Sequence, residues 1–429
     1  MIAGVVERVV EREIELTIDS IAAGGEGVGR KDGIVVFVPR TAPGDRIRAR
    51  IERRKRFARG TIEAIIEPSR ARVEARCPHY AVDRCGGCQL QHVSYAAQLA
   101  AKRVIIGDAL SRIGRRHIER PPQVDPSHLE WRYRSKLTLA MRRHGTSWVI
   151  GLRHFDNPDA VFQLDDCLIT DERVMAAWRE IMAASHLLPE AESLRGSVQL
   201  VTGSGAATAV VEGGERWPEA ENLFRVVPSI HALWWRPEDR ARALIAERRS
   251  SAAGASFRQV NAAVAKHMFG YVLSLVAAHG PSTVVDAYAG VGEGAVAIAA
   301  TGPRVTAIEV DREAAMRCAL HLPDGSRCLT GRVEDLLDRV LPADLVVLNP
   351  PRMGLHKNVT ALLERVATPP RAILYVSCDP ATLGRDLAQM PRYRIKSLRG
   401  FDMFPQTAHV ETVCELVPFE TRPRDGGAA

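Results

Sequence analysis

The chain has 429 residues, 46% hydrophobic and 25% charged, an ordinary globular composition whose length suggests two or three domains. Eight cysteines are too few for a disulfide scaffold, and no apolar run approaches the ~18 residues of a membrane span. The net charge of +7 is concentrated. RIRARIERRKRFAR, residues 46–59, holds eight Arg or Lys against one Glu, either a solvated basic strand and turn or a phosphate-facing patch.

The opening MIAGVVERVVEREIEL mixes acid with base and lacks the apolar h-region of a signal peptide, so a cytoplasmic protein is expected. Short strands then follow one another: EIELTID, GIVVFVP, RIRARIER and GTIEAIIEP, punctuated by glycines. Four or five strands in this length predict a small barrel of the oligonucleotide-binding kind over residues 1–68. The run GGEGVGRKDGIVVFVPRTAPGDRIRARI resembles a TRAM domain, an RNA-binding barrel attached to RNA-modifying enzymes.

A cysteine-rich turn comes next, Cys77-x7-Cys85-x2-Cys88, followed by a predicted helix from Tyr95 to Arg115. Cys167 lies far downstream, in FQLDDCLI. Four thiolates suit zinc or an iron–sulfur cluster equally by ligand chemistry. CGGC would leave its sulfurs exposed and reactive unless bound. Zinc ribbons pair two CxxC knuckles, and Cys167 has no such partner, so the spacing resembles a 4Fe-4S pattern better. Cys318 and Cys328 have no spacing partners and read as structural.

Residues 69–248 read as a mixed α+β region with strands such as SKLTLAMRR, SWVIGLRH and VQLVTG. Its segment WRYRSKLTLAMRRHG interleaves Trp131 and Tyr133 with arginines. The pattern suits either base stacking with phosphate contact or a strand packed on a helix.

From residue 249 onward strand and helix patterns alternate, which predicts a doubly wound, Rossmann-like α/β sheet binding its ligand at the strands' carboxyl ends. DAYAGVGEG, residues 286–294, is a glycine-rich strand-to-helix turn, and Glu309 ends the next strand, placed for ribose hydroxyls. The spacing Gly-x-Gly-x-Gly, with NPPR at residues 349–352, favours S-adenosylmethionine over a dinucleotide. NPPR resembles the motif with which base-modifying methyltransferases line cofactor and target. YVSCDPATLGRD sets Cys378 at the end of a further strand. Alone it reads as a buried strand cysteine.

These motifs, with FRQVN and DMFPQTAHVE, stand in an order that resembles the S-adenosylmethionine-dependent RNA uracil-5-methyltransferases over nearly the whole chain. The resemblance implies Cys378 as nucleophile and Glu411 as general base, with His409 at most in support. It implies Gln259, Tyr288, Glu309 and Asn349 as S-adenosylmethionine contacts and Cys77, Cys85, Cys88 and Cys167 as ligands of a 4Fe-4S cluster. Asn349 departs from the family's usual Asp, keeping an acceptor oxygen but losing the charge. The chemistry agrees: uracil C5 is a poor nucleophile until a thiolate adds at C6, and a base must afterwards take the C5 proton.

The expectation is therefore three parts: a TRAM-like RNA-binding barrel (1–68), a central RNA-binding iron–sulfur region (69–248) and a methyltransferase domain (249–429). The expected product is 5-methyluridine, in 23S ribosomal RNA ahead of transfer RNA, made by a monomer. A non-covalent methyltransferase would leave Cys378 and Glu411 without work. A catalytically silent RNA-binding protein of the same fold would have no use for keeping both.

Overall fold

The computed structural model describes residues 10–201, 205–248 and 259–419. The first residues of the N-terminal reading, Phe257 and Arg258 of FRQVN, and the RPRDGGAA tail lie outside them. The described residues form two compact units, one of residues 10–101, 127–201, 205–248, 259–262 and 404–408, the other of residues 102–126, 263–403 and 409–419.

In the first unit, β1 (Val10–Ile21), β2 (Gly27–Lys31), β3 (Ile34–Val38), β4 (Arg46–Arg53) and β5 (Phe57–Glu67) close into a barrel in the order β1-β2-β3-β5-β4. Alternation explains the closure: Leu16, Ile18, Val36, Val38, Ile47, Ala49 and Ala58 all point inward into one core. The residues between them face water, and there the basic window meets acid. Arg46 pairs with Glu67, Arg48 with Glu15, Arg50 with Glu63, Arg54 with Glu52 and Arg59 with Glu26. Arg53, Lys55 and Arg56, in and beside the β4–β5 hairpin, are exposed and without an ion pair among the described residues.

A short strand, β6 (Gln123–Asp125), belongs to the second unit. The first unit's second sheet contains β7 (Lys136–His144), β8 (Ser147–Arg153), β9 (Val161–Gln163), β10 (Ser193–Leu200), β11 (Ala207–Glu212), β12 (Ile230–Arg236) and β13 (Ala243–Glu247), in the order β13-β12-β11-β10-β7-β8-β9. The helix Glu172–Ala183 lays Val174, Met175, Ala177, Trp178 and Ile181 into its core. Tyr133 is buried there too, its hydroxyl donating to the Pro405 carbonyl at 3.0 Å. Trp131 packs on the same core with the Arg76 guanidinium over its ring, and Arg132 grips Asp166 with two nitrogens. For Tyr133 and Arg132 the strand-packed reading of WRYRSKLTLAMRRHG therefore holds and the stacking reading does not.

The second unit carries eight strands: β6, then β14 (Thr283–Ala287), β15 (Arg304–Glu309), β16 (Arg327–Thr330), β17 (Leu345–Leu348), β18 (Ala372–Ser377), β19 (Tyr393–Phe401) and β20 (Glu411–Pro418). Their order is β16-β15-β14-β17-β18-β20-β19-β6. β14 to β18 are parallel, and β20 runs antiparallel to β18. The direction of winding reverses at β14, so a ligand crevice opens beyond the carboxyl ends of β14 and β17. β17 and β18 are buried along their whole length, as strands covered on both faces must be.

Candidate active site

The turn after β14 is shaped by its glycines. Gly292 has φ of +85°, and a Cβ there would meet the Cys318 sulfur at 2.4 Å; a Cβ on Gly294 would press on the Asp286 carboxylate and the Phe269 ring at 3.2 Å. No side chain fits at Gly292, and at Gly294 one would require the carboxylate or the ring to give way. The outer side of the turn is open, because a Cβ at Gly290 would meet nothing within 4 Å. Glu309 braces it from the next strand, accepting from Gly290 N at 2.8 Å and from Asp311 N at 2.8 Å. Tyr288 has φ of +68°, a conformation bulky side chains rarely adopt and one that concentrates at ligand sites.

Tyr288, Glu309 and Asn349 thus stand at or just past the carboxyl ends of three neighbouring strands, β14, β15 and β17. Gln259 belongs to the first unit, where its carbonyl accepts from the Ser135 hydroxyl at 3.5 Å. Asp286, beneath the turn, is buried, and burial followed by the charge of Glu309 pushes its carboxyl up to about 7. The sequence reading noted Asp286 only as a neighbour of the glycines. An open, glycine-lined turn with acidic groups below it fits a nucleoside ligand carrying a positive charge.

One strand further, β18 delivers Cys378. Asp379 caps the next helix, Pro380–Ala388, accepting from Ala381 N at 2.8 Å and Thr382 N at 3.3 Å, with Pro380 in the first turn. Asp-Pro therefore ends the strand and starts a helix within two residues, and Cys378 is left half-buried at the junction. In β20, Thr412 pairs with Ser377. Cys378 follows Ser377 and Glu411 precedes Thr412, so the two stand next to the last pair of the ladder. Burial, then the Glu411 charge, pushes the Cys378 thiol up to about 11, while Arg352 pulls it down. Burial likewise pushes Glu411 up to about 7, again opposed by Arg352. Arg352 carries the positive charge common to both groups, and the sequence reading gave it no role beyond NPPR. His409 is exposed.

In the first unit, Cys77, Cys85, Cys88 and Cys167 are all buried and belong to one core cluster. The two CGGC cysteines are buried in this core rather than exposed. Burial pushes the Cys85 thiol up to about 12, with Cys167 and Cys77 adding to the rise, and Cys88 and Cys167 are raised in the same way. The four thiols are thus electrostatic neighbours. Among the described residues no three or more His, Cys, Asp or Glu converge tightly enough to hold a single metal ion. Cys318 and Cys328 do have partners: the two thiols lie close enough to act on each other electrostatically, with Cys318 beneath the glycine turn.

A doubly wound sheet with an open glycine turn at its switch point and an acidic residue ending the next strand has the architecture of an S-adenosylmethionine-dependent methyltransferase. Comparison with known proteins narrows the class. Residues 329–417 match the family model described as tRNA (Uracil-5-)-methyltransferase, and residues 7–62 match the TRAM domain. An uncharacterised RNA methyltransferase of Thermosynechococcus vestitus is 33% identical over 94% of this chain and 97% of its own. Another, from Protochlamydia amoebophila, is 31% identical over 95% and 98%. The crystal structure of a Pyrococcus abyssi tRNA (uracil-54, C5)-methyltransferase has the same fold, with a TM-score of 0.69 at 23% identity over 94% of this chain and all of that one. The chain belongs to the RNA uracil-5-methyltransferase family and carries an N-terminal TRAM domain. It is an S-adenosylmethionine-dependent RNA (uracil-5-)-methyltransferase.

Proposed function

We propose that Cys378 is the nucleophile and Glu411 the general base of this reaction. The observation that supports the reading is the end of the β18–β20 ladder, where Cys378 follows Ser377 and Glu411 precedes its partner Thr412, with the Glu411 charge acting on the thiol. The Cys378 thiolate adds to C6 of the target uracil, and the ring's electrons move onto the C4 oxygen as an enolate. C5 then takes the methyl group, which S-adenosylmethionine supplies as a sulfonium. Glu411 removes the C5 proton, the C5–C6 double bond re-forms, and the thiolate leaves. Arg352 favours the two charged forms this sequence needs, thiolate and carboxylate. Tyr288, Glu309, Asn349 and Gln259 are assigned to cofactor binding.

RNA containing 5-fluorouridine at the target tests the roles. Fluorine cannot leave as a proton, so the protein stalls as a covalent adduct through Cys378. Methyl transfer to ordinary RNA with no trapped adduct would remove Cys378 from the mechanism.

Cys77, Cys85, Cys88 and Cys167 are assigned to a 4Fe-4S cluster with a structural role. The donor set supports this: four thiols interact without converging on one point, and a cube of iron and sulfide spreads its ligands farther apart than one ion does. The functional division is 1–68 for the RNA-binding barrel, 69–248 for the central RNA-binding cluster region and 249–429 for methyl transfer, in a cytoplasmic monomer. The preferred substrate is 23S ribosomal RNA, with transfer RNA second. The preference rests on the likeness of the TRAM and cysteine motifs to enzymes of that substrate. Mapping the 5-methyluridine lost from each RNA on gene deletion decides it.

A further inference from the structure

The loop after β17, residues 349–355, carries Arg352 toward the two reacting groups, and something must hold it there. The holding group comes from the helix Pro380–Ala388. Asp386 is fully buried. Its Oδ2 accepts from Leu355 N at 2.7 Å and from the Tyr375 hydroxyl at 2.8 Å. Its Oδ1 accepts from the neighbouring Arg385 Nε at 2.9 Å and Nη2 at 2.7 Å. The same Nη2 donates to the Met353 carbonyl at 2.7 Å.

One carboxylate therefore ties the loop on either side of Gly354 to Tyr375, three positions before Cys378 on β18. Gly354 has φ of +75°, and a Cβ there would come within 2.5 Å of both Arg385 Nη2 and Asp386 Oδ2. Only glycine admits so close an approach. Pro350 and Leu355 are buried at the two ends of the loop, but Arg352 and Met353 between them are exposed, so hydrogen bonds rather than apolar burial hold the middle of the loop.

We propose that Asp386, with Arg385, is a positioning residue of the methyl-transfer reaction: it straps the 349–355 loop to the strand that presents Cys378 and so sets where the Arg352 guanidinium stands. This rests on the assignment of Cys378 as nucleophile. The charged groups acting on that sulfur are Glu411 and Asp379, which disfavour the thiolate, and Arg352, which favours it. Loosening the strap removes the one favourable charge and leaves the two unfavourable ones.

The test reads the charge beside the sulfur without RNA or turnover. Iodoacetate is an anion and iodoacetamide is neutral, yet both alkylate the same thiolate. The ratio of their rates at Cys378, resolved by peptide mass spectrometry at low salt, reports local charge and cancels changes in pKa and access. Arg352→Ala is expected to lower the ratio about threefold or more. Asp386→Asn, which keeps the shape but gives up the pairing with Arg385, is expected to lower it comparably, and the double variant no further. Folded Asp386→Asn with the wild-type ratio, beside a lowered ratio in Arg352→Ala, overturns the proposal. So does an unchanged ratio in Arg352→Ala. If Asp386→Asn does not fold, Arg385→Ala, which frees the Met353 carbonyl from a half-exposed position, takes its place under the same two criteria. Failure of the covalent mechanism shows separately, as wild-type protein that forms no adduct on 5-fluorouridine RNA.

Discussion

Cys378 and Glu411 stand next to the last pair of one ladder: Ser377 pairs with Thr412 across β18 and β20, the cysteine follows Ser377, the glutamate precedes Thr412, and the charge of Glu411 acts on the Cys378 thiol. A one-residue slip of either strand would turn its side chains to the other face of the sheet. The register is held by full burial of both strands, from Ile373 opposite Leu416 to Ser377 opposite Thr412.

This arrangement separates the two halves of the reaction. Cys378→Ala is expected to abolish both methyl transfer and adduct formation. Glu411→Gln should still add to C6 and take the methyl, then stall before loss of the C5 proton. It is expected to lose turnover by about 10²–10⁴-fold and to accumulate a methylated protein–RNA complex, visible as a radiolabelled band on a denaturing gel. Lost turnover with no such band would mean that Glu411 acts before the methyl arrives.

Glu411 also fixes a pH dependence. In the proposed role of general base the carboxyl must be ionised to accept the C5 proton, and burial sets it at about 7, so the proton-abstraction step should rise as pH climbs through about 7. Stability runs the other way. The folded pKa lies above the unfolded one, so the native state keeps a proton that the unfolded chain has already released. That contribution is present below about pH 4.5 and is lost as pH rises toward 7, amounting to on the order of 3 kcal/mol by pH 8. Glu411→Gln should therefore raise the thermal midpoint more at pH 8 than at pH 5. Asp286→Asn should do the same, since its carboxyl is raised to a similar value. Equal gains at both pH values would show that neither carboxyl is raised by burial.

Much of this site was legible because it is local. The glycine turn announces itself through residues that need positive φ or close backbone approach, as Gly292 and Gly294 do, and Asp-Pro after Cys378 marks a strand end within two residues. What escaped sequence reading depends on partners far along the chain. Asp386 reads as one more helical acid until Leu355 and Tyr375 are seen to bind it. The +7 window looked like a continuous basic face because its partners, Glu15, Glu26, Glu63 and Glu67, lie on other strands or at their far ends. Tyr133 looked available for stacking, and its burial follows from a contact with Pro405, in a segment more than two hundred residues away.

The cysteine cluster makes a prediction independent of catalysis. Cys85, Cys88 and Cys167, raised by burial and by neighbouring thiols, are poor ligands until a strongly charged group compensates them. Protein purified without oxygen should therefore be brown, with about four irons and four sulfides per chain. Cys88→Ser should lose the colour and lower the thermal midpoint, while the Cys378→Ala variant keeps both. Stoichiometric zinc without iron would overturn the cluster assignment.

The barrel's contribution to RNA binding is expected to be narrower than the 46–59 window. Five of its eight bases already hold glutamates at 2.6 to 3.7 Å, and a phosphate would have to displace those partners. Arg53, Lys55 and Arg56 have no such competitor among the described residues and are exposed together at the β4–β5 hairpin. Each phosphate they neutralise contributes about 0.7 to the slope of log affinity against log salt for single-stranded RNA. Replacing all three with Ala should flatten the slope by about 2, whereas Arg46→Ala with Arg48→Ala should change it by less than half as much. Filter binding between 50 and 200 mM salt reads the difference, and equal slopes for the two variants would return the whole window to the interface.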